Sequence, residues 1–501
     1  MTSQTTSSFS DPYEPRPGLT CREADWSGLR VVVTGLGISG FAAADALSEQ
    51  GAQVVVVDAS DSGDRLMERA QILRVLDVDV RLGSEHVQTL PQGVDLVVTS
   101  PGWSPNQPLL SEAASRGVPI WGEVELAWRM RPREGAAPWV TLTGTNGKTT
   151  TVKMVTSILE AAGKRVVAAG NVGTPIMEAV LDPTPYDVIV VELSSFQLHW
   201  QRSLVPLASA CLNVAADHVD WHGSFEDYAR DKSRVYERTQ VACVYNVDDP
   251  LTEQMVRDAD VQEGCRAVGF TLGVPGLSML GLVDDVLADR AFVAQRQTSA
   301  AELGTLDVLR SGLQAPAPHV VANALAAAAL ARACGASPLA VREGLASFRP
   351  EAHRIAEVAT ARGVGWIDDS KATNPHAAAA SLSAYPSVVW IAGGLLKGAD
   401  VDELVERSRD HLKAVLLIGR DRDRIRQALD RHAPHIPVVE FSETDTGVMG
   451  RVVARAAELA ASGDVVLLAP AAASMDMFTD YGARGDAFAA AVRSLLSVDE
   501  G

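Results

Sequence analysis

Residues 139–151, Trp-Val-Thr-Leu-Thr-Gly-Thr-Asn-Gly-Lys-Thr-Thr-Thr, join an apolar run to a lysine and paired hydroxyls through a loop carrying two glycines. This order reads as a buried strand, a tight loop and then a helix. Backbone N–H groups of such a loop converge on anionic oxygens at a helix N-terminus, Lys148 adds a mobile positive charge, and Thr149 or Thr150 offers a hydroxyl to Mg²⁺. The segment therefore calls for an α/β fold and predicts a phosphate cradle, with ATP as the expected nucleotide. The match to the general phosphate-loop pattern is partial, because Leu142 stands where a glycine is usual, while Gly144 and Asn146 lie inside the loop. The competing reading, a strand-to-helix turn with incidental glycine and lysine, fits poorly with a Gly-Lys-Thr-Thr run directly after an apolar strand.

A chain of 501 residues with 47% hydrophobic and 21% charged residues has room for two to four globular domains. Lys plus Arg number 44 against 63 Asp plus Glu, a formal charge of −19, which argues against a nucleic-acid footprint or an anionic membrane surface. Any phosphate site must be local. The cysteines (21, 211, 243, 265 and 334) are widely spaced and lack a C-x-x-C or Cys/His ligand pattern, so disulfides and structural zinc are not expected and a reducing cytoplasm is. No apolar stretch reaches membrane-spanning length, and residues 1–27 read as a disordered polar tail.

Alternation of strand-like and helical stretches divides the remainder into three α/β domains. Residues 28–137 open with Leu29–Thr34, the loop Gly35-Leu-Gly-Ile-Ser-Gly40, an alanine-rich helix and the run Gln53–Val57 ending at Asp58, a Rossmann-like βαβ unit. Residues 138–349 form a central phosphate-loop domain with a mostly parallel sheet, and residues 271–312 within it form a peripheral strand-and-loop excursion. Residues 350–501 again alternate short apolar strands with helices, as a second Rossmann-like domain.

The Gly35-x-Gly37-x-x-Gly40 loop followed by Asp58 fits a dinucleotide fingerprint, with Ile38 and Ser39 between the glycines. The same physics, backbone close to phosphate and an acid for a ribose, suits a nucleotide diphosphate sugar equally well, and a structural glycine turn remains a third reading. In the central domain Glu192 stands at the carboxyl end of an apolar run, where ligands of open α/β sheets collect and a carboxylate can hold Mg²⁺. His218, in Asn213-Val-Ala-Ala-Asp-His, repeats that placement. Lys232 reads as a solvated helix lysine and Asn171 as a turn residue. In the last domain the loops Asp368-Asp-Ser-Lys-Ala-Thr-Asn374, Gly393-Gly-Leu-Leu-Lys-Gly398 and Ala469-Pro-Ala-Ala-Ala-Ser474 each end an apolar run with cations or hydroxyls. Together they describe a pocket for a small carboxylate-bearing substrate, with Arg354 able to reach ATP phosphates.

From about residue 28 to the end these motifs resemble the Mur ligases of peptidoglycan precursor synthesis. Thr-Gly-Thr-Asn-Gly-Lys-Thr is similar to the phosphate loop of the whole superfamily, and the three C-terminal loops look like those of its D-glutamate-adding branch. The resemblance implies ATP and two Mg²⁺ ions as cofactors, and UDP-N-acetylmuramoyl-L-alanine and D-glutamate as substrates, bound by a cytoplasmic monomer. It turns the first glycine loop away from NAD and toward UDP, on Gly37, Ile38, Ser39, Gly40 and Asp58, with Asn171, Ser195, Gln197 and His218 also near the precursor. The ATP residues would be Gly144, Thr145, Asn146, Gly147, Lys148, Thr149, Thr150, Asn323, Arg354 and Asp369. Those at the metals would be Thr149, Glu192, His218 and a carbamoylated Lys232, and those around D-glutamate Lys371, Thr373, Lys397, Ser474 and Tyr481. Lys148, His218 and Lys232 would carry the catalysis. The chain departs from the family at Val320, where Asn often follows the histidine, and at Leu395 and Tyr481. An oxidoreductase, a non-catalytic ATP-gated binding protein and a folylpolyglutamate synthetase are the competing classes, and none accounts for all three C-terminal loops.

Overall fold

The structure, a computed structural model, describes residues 13–309, 316–349, 353–442 and 447–499. Among these residues the strands form three sheets. The first contains β1 Arg30–Thr34, β2 Gln53–Asp58, β3 Asp79–Leu82, β4 Leu96–Thr99 and β5 Ile120–Gly122, all parallel, in the order β3-β2-β1-β4-β5. Valine-rich strands with few polar residues are what a sheet covered on both faces demands. The strand order reverses between β1 and β4, so the crevice at their carboxyl ends opens beside the glycine loop that follows β1.

Residues 13–27, expected within a disordered tail, pack against this sheet instead. Leu19 and Trp26 are buried, Trp26 meets Trp121 edge-on at 6.4 Å, and Arg129 pairs with Glu14 at 2.8 Å. A leucine and a tryptophan in an otherwise polar stretch supply apolar area whose burial offsets the ordering of the chain. Residues 1–12 lie outside the described residues.

The second sheet holds β6 Trp139–Thr143, β7 Val166–Gly170, β8 Val188–Glu192, β9 Ala208–Cys211, β10 Ala242–Asn246, β11 Arg266–Phe270, β12 Met279–Val283, β13 Val286–Asp289 and β14 Ala301–Thr305. Its order is β14-β13-β12-β11-β10-β9-β6-β8-β7. Only the β12-β13-β14 end is antiparallel, so the segment expected as a peripheral excursion continues the sheet rather than leaving it. The phosphate-loop strand β6 lies between β8 and β9, with Leu142 level with Glu192 and Thr143 level with Cys211. Helix Lys148–Ala161, which the loop feeds, is backed by helix Pro338–Ser347. A Cβ on Gly344 would come within 2.3 Å of Ile158 Cα, so only glycine permits the approach, and Ser157 Oγ donates to the Gly344 carbonyl at 2.8 Å.

The third sheet contains β15 Ala356–Ala361, β16 Val364–Asp368, β17 Val388–Gly393, β18 Leu412–Ile418, β19 Val438–Glu440 and β20 Val465–Leu468, in the order β15-β16-β20-β17-β18-β19. All neighbours are parallel except β15 with β16. Alternate residues of its central strands feed two cores, Trp390 and Leu467 on one face, Ile391 and Leu468 on the other. The chain falls into two compact units: residues up to 308 and 322–347 make the first, which carries the first two sheets, and residues 309–321 group with those from 348 onward in the second, which carries the third. Among the described residues no helix is long and apolar enough to cross a membrane.

Candidate active site

At the first sheet, the turn after β1 needs glycine twice. Gly35 has φ +86°, and a Cβ on Gly40 would lie 1.8 Å from the Gly35 carbonyl oxygen. Helix Ile38–Glu49 thus starts hard against the loop, and no side chain caps its Gly37 terminus, so the N–H groups of its first turn face the crevice mouth. Ile38 is exposed there, and Ser39 hydrogen-bonds Glu123, whose carboxyl is pushed up by burial. Asp58 is already engaged: its two oxygens accept from Leu36 N–H at 2.7 Å and Ser60 N–H at 2.8 Å. The acid therefore shapes the glycine loop. Glu123 escaped the sequence reading because nothing in the pattern of its short helix distinguishes it.

At the second sheet, three adjacent strands deliver the predicted residues to one edge. After β6, the loop Gly144–Gly147 is laced to the turn after β9. Asn146 N–H donates to Asn213 Oδ1 at 2.8 Å, Asn213 Nδ2 returns to the Asn146 carbonyl at 3.1 Å, and Thr145 Oγ1 accepts from Ala215 N–H at 2.9 Å. Gly147 has φ +82°, and a Cβ there would meet Asn323 Oδ1 at 2.4 Å, so Asn323 lies against the loop as expected of a nucleotide contact. Thr149 and Thr150 occupy the first turn of helix Lys148–Ala161.

After β8, Glu192 is buried. Its Oε1 accepts from Asn171 Nδ2 at 2.9 Å, and its Oε2 has no hydrogen-bond partner. Asn171 is thus more than a turn residue. A buried carboxylate oxygen without a donor fits a cation. His218 has φ +51°, and its half-exposed ring packs edge-on to Phe196 at 4.8 Å with Nε2 3.6 Å from Asp217 Oδ2; partial desolvation holds its basicity down against the pull of Asp217. Among the described residues no three His, Cys, Asp or Glu side chains converge as a ready cage.

Lys232 overturns its sequence reading. Expected to be solvated, it is fully buried, its Nζ donating to the Gly144 carbonyl at 2.9 Å and lying 3.3 Å from Thr143 Oγ1. Lys148 Nζ donates to the same Gly144 carbonyl at 2.9 Å. Burial first, and then repulsion by Lys148, bring the Lys232 amine down to about 7, while Glu192 and Asp217 pull the other way. Tyr228, Asp231 and Lys232 share the buried face of helix Phe225–Ser233, and the i, i+3, i+4 spacing from Tyr228 is the signal that could have revealed it.

Ser195 and Gln197, expected near the precursor, turn their side chains inward. Gln197 closes a capping box with Ser194, and Ser195 Oγ lies 2.9 Å from His222 Nε2.

At the third sheet, the loops after β16, β20 and β17 belong to neighbouring strands, as a shared pocket requires. The structure adds their organiser, Arg484, which sequence reasoning did not flag. Its buried guanidinium donates to Ser370 Oγ at 3.0 Å, the Ser370 carbonyl at 2.8 Å, the Ala472 carbonyl at 3.0 Å and the Gly393 carbonyl at 3.4 Å, one loop after another. Lys371 Nζ lies 5.1 Å from the Tyr481 ring centre, and Tyr481 in turn accepts Ser370 Oγ on its carbonyl at 2.7 Å. Lys397 holds a left-handed backbone at φ +50°, Thr373 N–H bonds the Lys371 carbonyl at 2.8 Å, and Ser474 is buried where its carbonyl starts the turn to Phe478. Asp369 is fully buried, and burial raises its carboxyl to about 7 against the pull of Ser381, Ile355 N–H and Arg354.

Residues 29–122 match the family described as Mur ligase MurD-like, N-terminal domain, residues 142–331 the Mur ligase middle domain, and residues 353–472 the Mur ligase glutamate ligase domain. The chain is 58% identical to the UDP-N-acetylmuramoylalanine–D-glutamate ligase of Streptomyces avermitilis, over 94% of this chain and 99% of that one. It is 56% identical to the ligase of that name from Thermobifida fusca, over 93% and 99%. Its fold is similar to the crystal structure of UDP-N-acetylmuramate–alanine ligase from Thermotoga maritima, with a TM-score of 0.52 at 20% identity, covering 93% of this chain and 99% of that one.

Proposed function

The chain belongs to the Mur ligase family, and from that premise we propose that it joins D-glutamate to UDP-N-acetylmuramoyl-L-alanine, converting ATP to ADP and phosphate. The observation that carries this reading is identity above 50%, along nearly the whole chain, with relatives that bear that activity in their names. The terminal carboxylate of the precursor attacks the γ-phosphate of ATP, releasing ADP and leaving an acyl phosphate. The amine of D-glutamate then attacks the acyl carbon; phosphate departs as the amide forms and the amine proton is lost. Positioning and charge neutralisation do most of the catalysis in such transfers.

This chain's residues have distinct parts in the proposal. Gly37, Ile38, Ser39 and Gly40 present N–H groups to the UDP phosphates, with Asp58 holding their loop in shape. Gly144–Gly147 and Lys148 cradle the ATP phosphates, and Thr150, Asn323, Arg354 and Asp369 complete the nucleotide contacts. Thr149, Glu192 and His218 would hold Mg²⁺, which would neutralise charge on the transferring phosphoryl group. Lys232, as a neutral amine, adds CO₂ to give a carbamate and one proton, replacing a buried neutral amine with an anionic oxygen ligand. The sharing of the Gly144 carbonyl by two lysines supports this assignment, since two ammonium groups on one buried acceptor repel each other. Asn171 orients Glu192, and Ser195 and Gln197 order the turn behind it. Lys371, Thr373, Lys397, Ser474 and Tyr481 surround the carboxylates of D-glutamate. The proposal includes a cytoplasmic location and a monomeric state.

Phosphate release from ATP, measured with the precursor and with D-glutamate, L-glutamate, L-alanine or L-lysine in turn, tests the reading. Release that needs both the precursor and D-glutamate is expected. Release with another amino acid would overturn the substrate, and none at all would overturn the activity.

A further inference from the structure

Beside the cation residues runs a hydrogen-bonded chain that the reaction as described does not use. Ser195 Oγ lies 2.9 Å from His222 Nε2, His222 Nδ1 lies 2.9 Å from Asp231 Oδ2, and the same oxygen meets His199 Nδ1 at 2.8 Å. Asp231 Oδ1 faces Arg234 Nε at 3.6 Å. The His222 side chain is wholly buried, stacked on Phe196 at 5.5 Å and packed against Trp221 and Tyr228. A carboxylate only accepts, so both histidines carry a proton on Nδ1 and donate it to Asp231, while His222 Nε2 meets the Ser195 hydroxyl.

What makes the chain informative is where its members sit. Ser195 follows Glu192 by three residues, at the first turn of the helix after β8. His222 follows His218 by four, at the other end of the short helix Val219–His222. Asp231 directly precedes Lys232 on helix Phe225–Ser233. Glu192, His218 and Lys232 thus each lie within four residues of a member of the chain. Tyr228, packed on His222, reaches Thr145 Oγ1 at 2.9 Å and extends the same bracing to the phosphate loop. Asp231 is held from three sides, by His199, His222 and Arg234.

We propose that Ser195, His222 and Asp231 are positioning residues, a buried brace that fixes Glu192, His218 and Lys232 relative to one another and so sets the affinity of this edge for a divalent cation. The proposal rests on the ligase reading for its purpose, not for its measurement. Outer partners of metal ligands typically change affinity by about 10–100-fold.

The test is direct binding of Mn²⁺, followed by electron paramagnetic resonance, to the full chain with a non-hydrolysable ATP analogue. Ser195→Ala and His222→Phe, the latter keeping an aromatic ring against Phe196 and Trp221, should each weaken Mn²⁺ binding about 10–100-fold with the thermal midpoint little changed. Ser195→Thr, which keeps the hydroxyl, should restore it, and the Ser195→Ala/His222→Phe double variant should be no weaker than the worse single. The KM for D-glutamate should stay within about twofold, since that pocket is built from other loops. Unchanged Mn²⁺ affinity in the folded single variants, or double-variant losses that multiply, would overturn the brace, as would failure of the parent chain to bind Mn²⁺. A parent chain that binds Mn²⁺ but releases no phosphate with precursor and D-glutamate would instead sink the ligase reading while leaving the brace measurable.

Discussion

Lys232 and Lys148 share a carbonyl acceptor, and only one of them can keep its proton comfortably there. Because burial and Lys148 bring the Lys232 amine to about 7, the neutral form that reacts with CO₂ predominates above that pH and gives way to ammonium below it. Activity should therefore depend on bicarbonate, and the dependence should steepen as pH falls through about 7; equal rates in CO₂-stripped and bicarbonate buffers at pH 6.5 would count against the carbamate. Lys232→Ala should lose activity and regain part of it with small carboxylic acids that place an oxygen anion where the carbamate would stand, and a flat response across an acid series would argue the same way. Lys148→Ala removes the mobile charge aimed at the phosphates and should lower the rate of ADP formation by about 10²–10³-fold without unfolding the chain, as phosphate release and circular dichroism would show. The residues alone revealed the part of Lys148 but read Lys232 as solvated. Lys148 belongs to a local pattern, whereas the burial of Lys232 is created by β6 and Tyr228, which lie far from it or across a helical turn.

Elements, in this protein, are set by close approaches as much as by apolar runs. The helix after β1 can start where it does only because Gly40 lacks a Cβ, so Gly40→Ala should push that helix from the Gly35 carbonyl and weaken UDP-precursor binding by at least tenfold in calorimetry, with ATP-analogue binding unchanged. Arg484 plays a comparable part in the second unit, tying three loops through their carbonyls from inside the fold. Burial lowers its guanidinium to about 10, still charged at neutral pH. Arg484→Met leaves those acceptors unsatisfied and should cost on the order of 3–5 kcal/mol by chemical denaturation, with the D-glutamate KM rising more than the ATP KM. Equal rises would place the amino acid elsewhere. The strands that deliver the loops were readable because each is a continuous apolar run; Asp79–Leu82, Ala242–Asn246, Arg266–Phe270 and Ala356–Ala361 were not, being short and broken by Asp, Arg, Cys or Glu. Arg484 was unreadable for a different reason, since an arginine on an alanine-rich helix looks like any surface arginine until the loops close around it.

At the scale of the whole molecule the chemistry makes a demand that neither unit meets alone. The residues that cradle the ATP phosphates and would hold the cation lie in the first unit, and those assigned to D-glutamate lie in the second, together with the nucleotide contacts assigned to Arg354 and Asp369. An acyl phosphate is open to attack by water, so a site that excludes solvent until the amine arrives avoids wasting ATP. Ligand binding should therefore draw the units together, with the change in backbone angles absorbed near residues 348–351, of which Pro350 and Glu351 lie outside the described residues; residues 137–139, inside the first unit, would serve only movement within it. Small-angle scattering should record a smaller radius of gyration with the precursor and a non-hydrolysable ATP analogue than with either alone. The two ligands should also bind cooperatively, because each that favours the closed form lowers the cost of closing for the other. Scattering curves that superimpose under all conditions would remove closure from the mechanism, and the exclusion of water would then have to come from the loops of each unit alone. Compaction with ATP analogue but no gain on adding the precursor would keep closure and assign its trigger to the nucleotide.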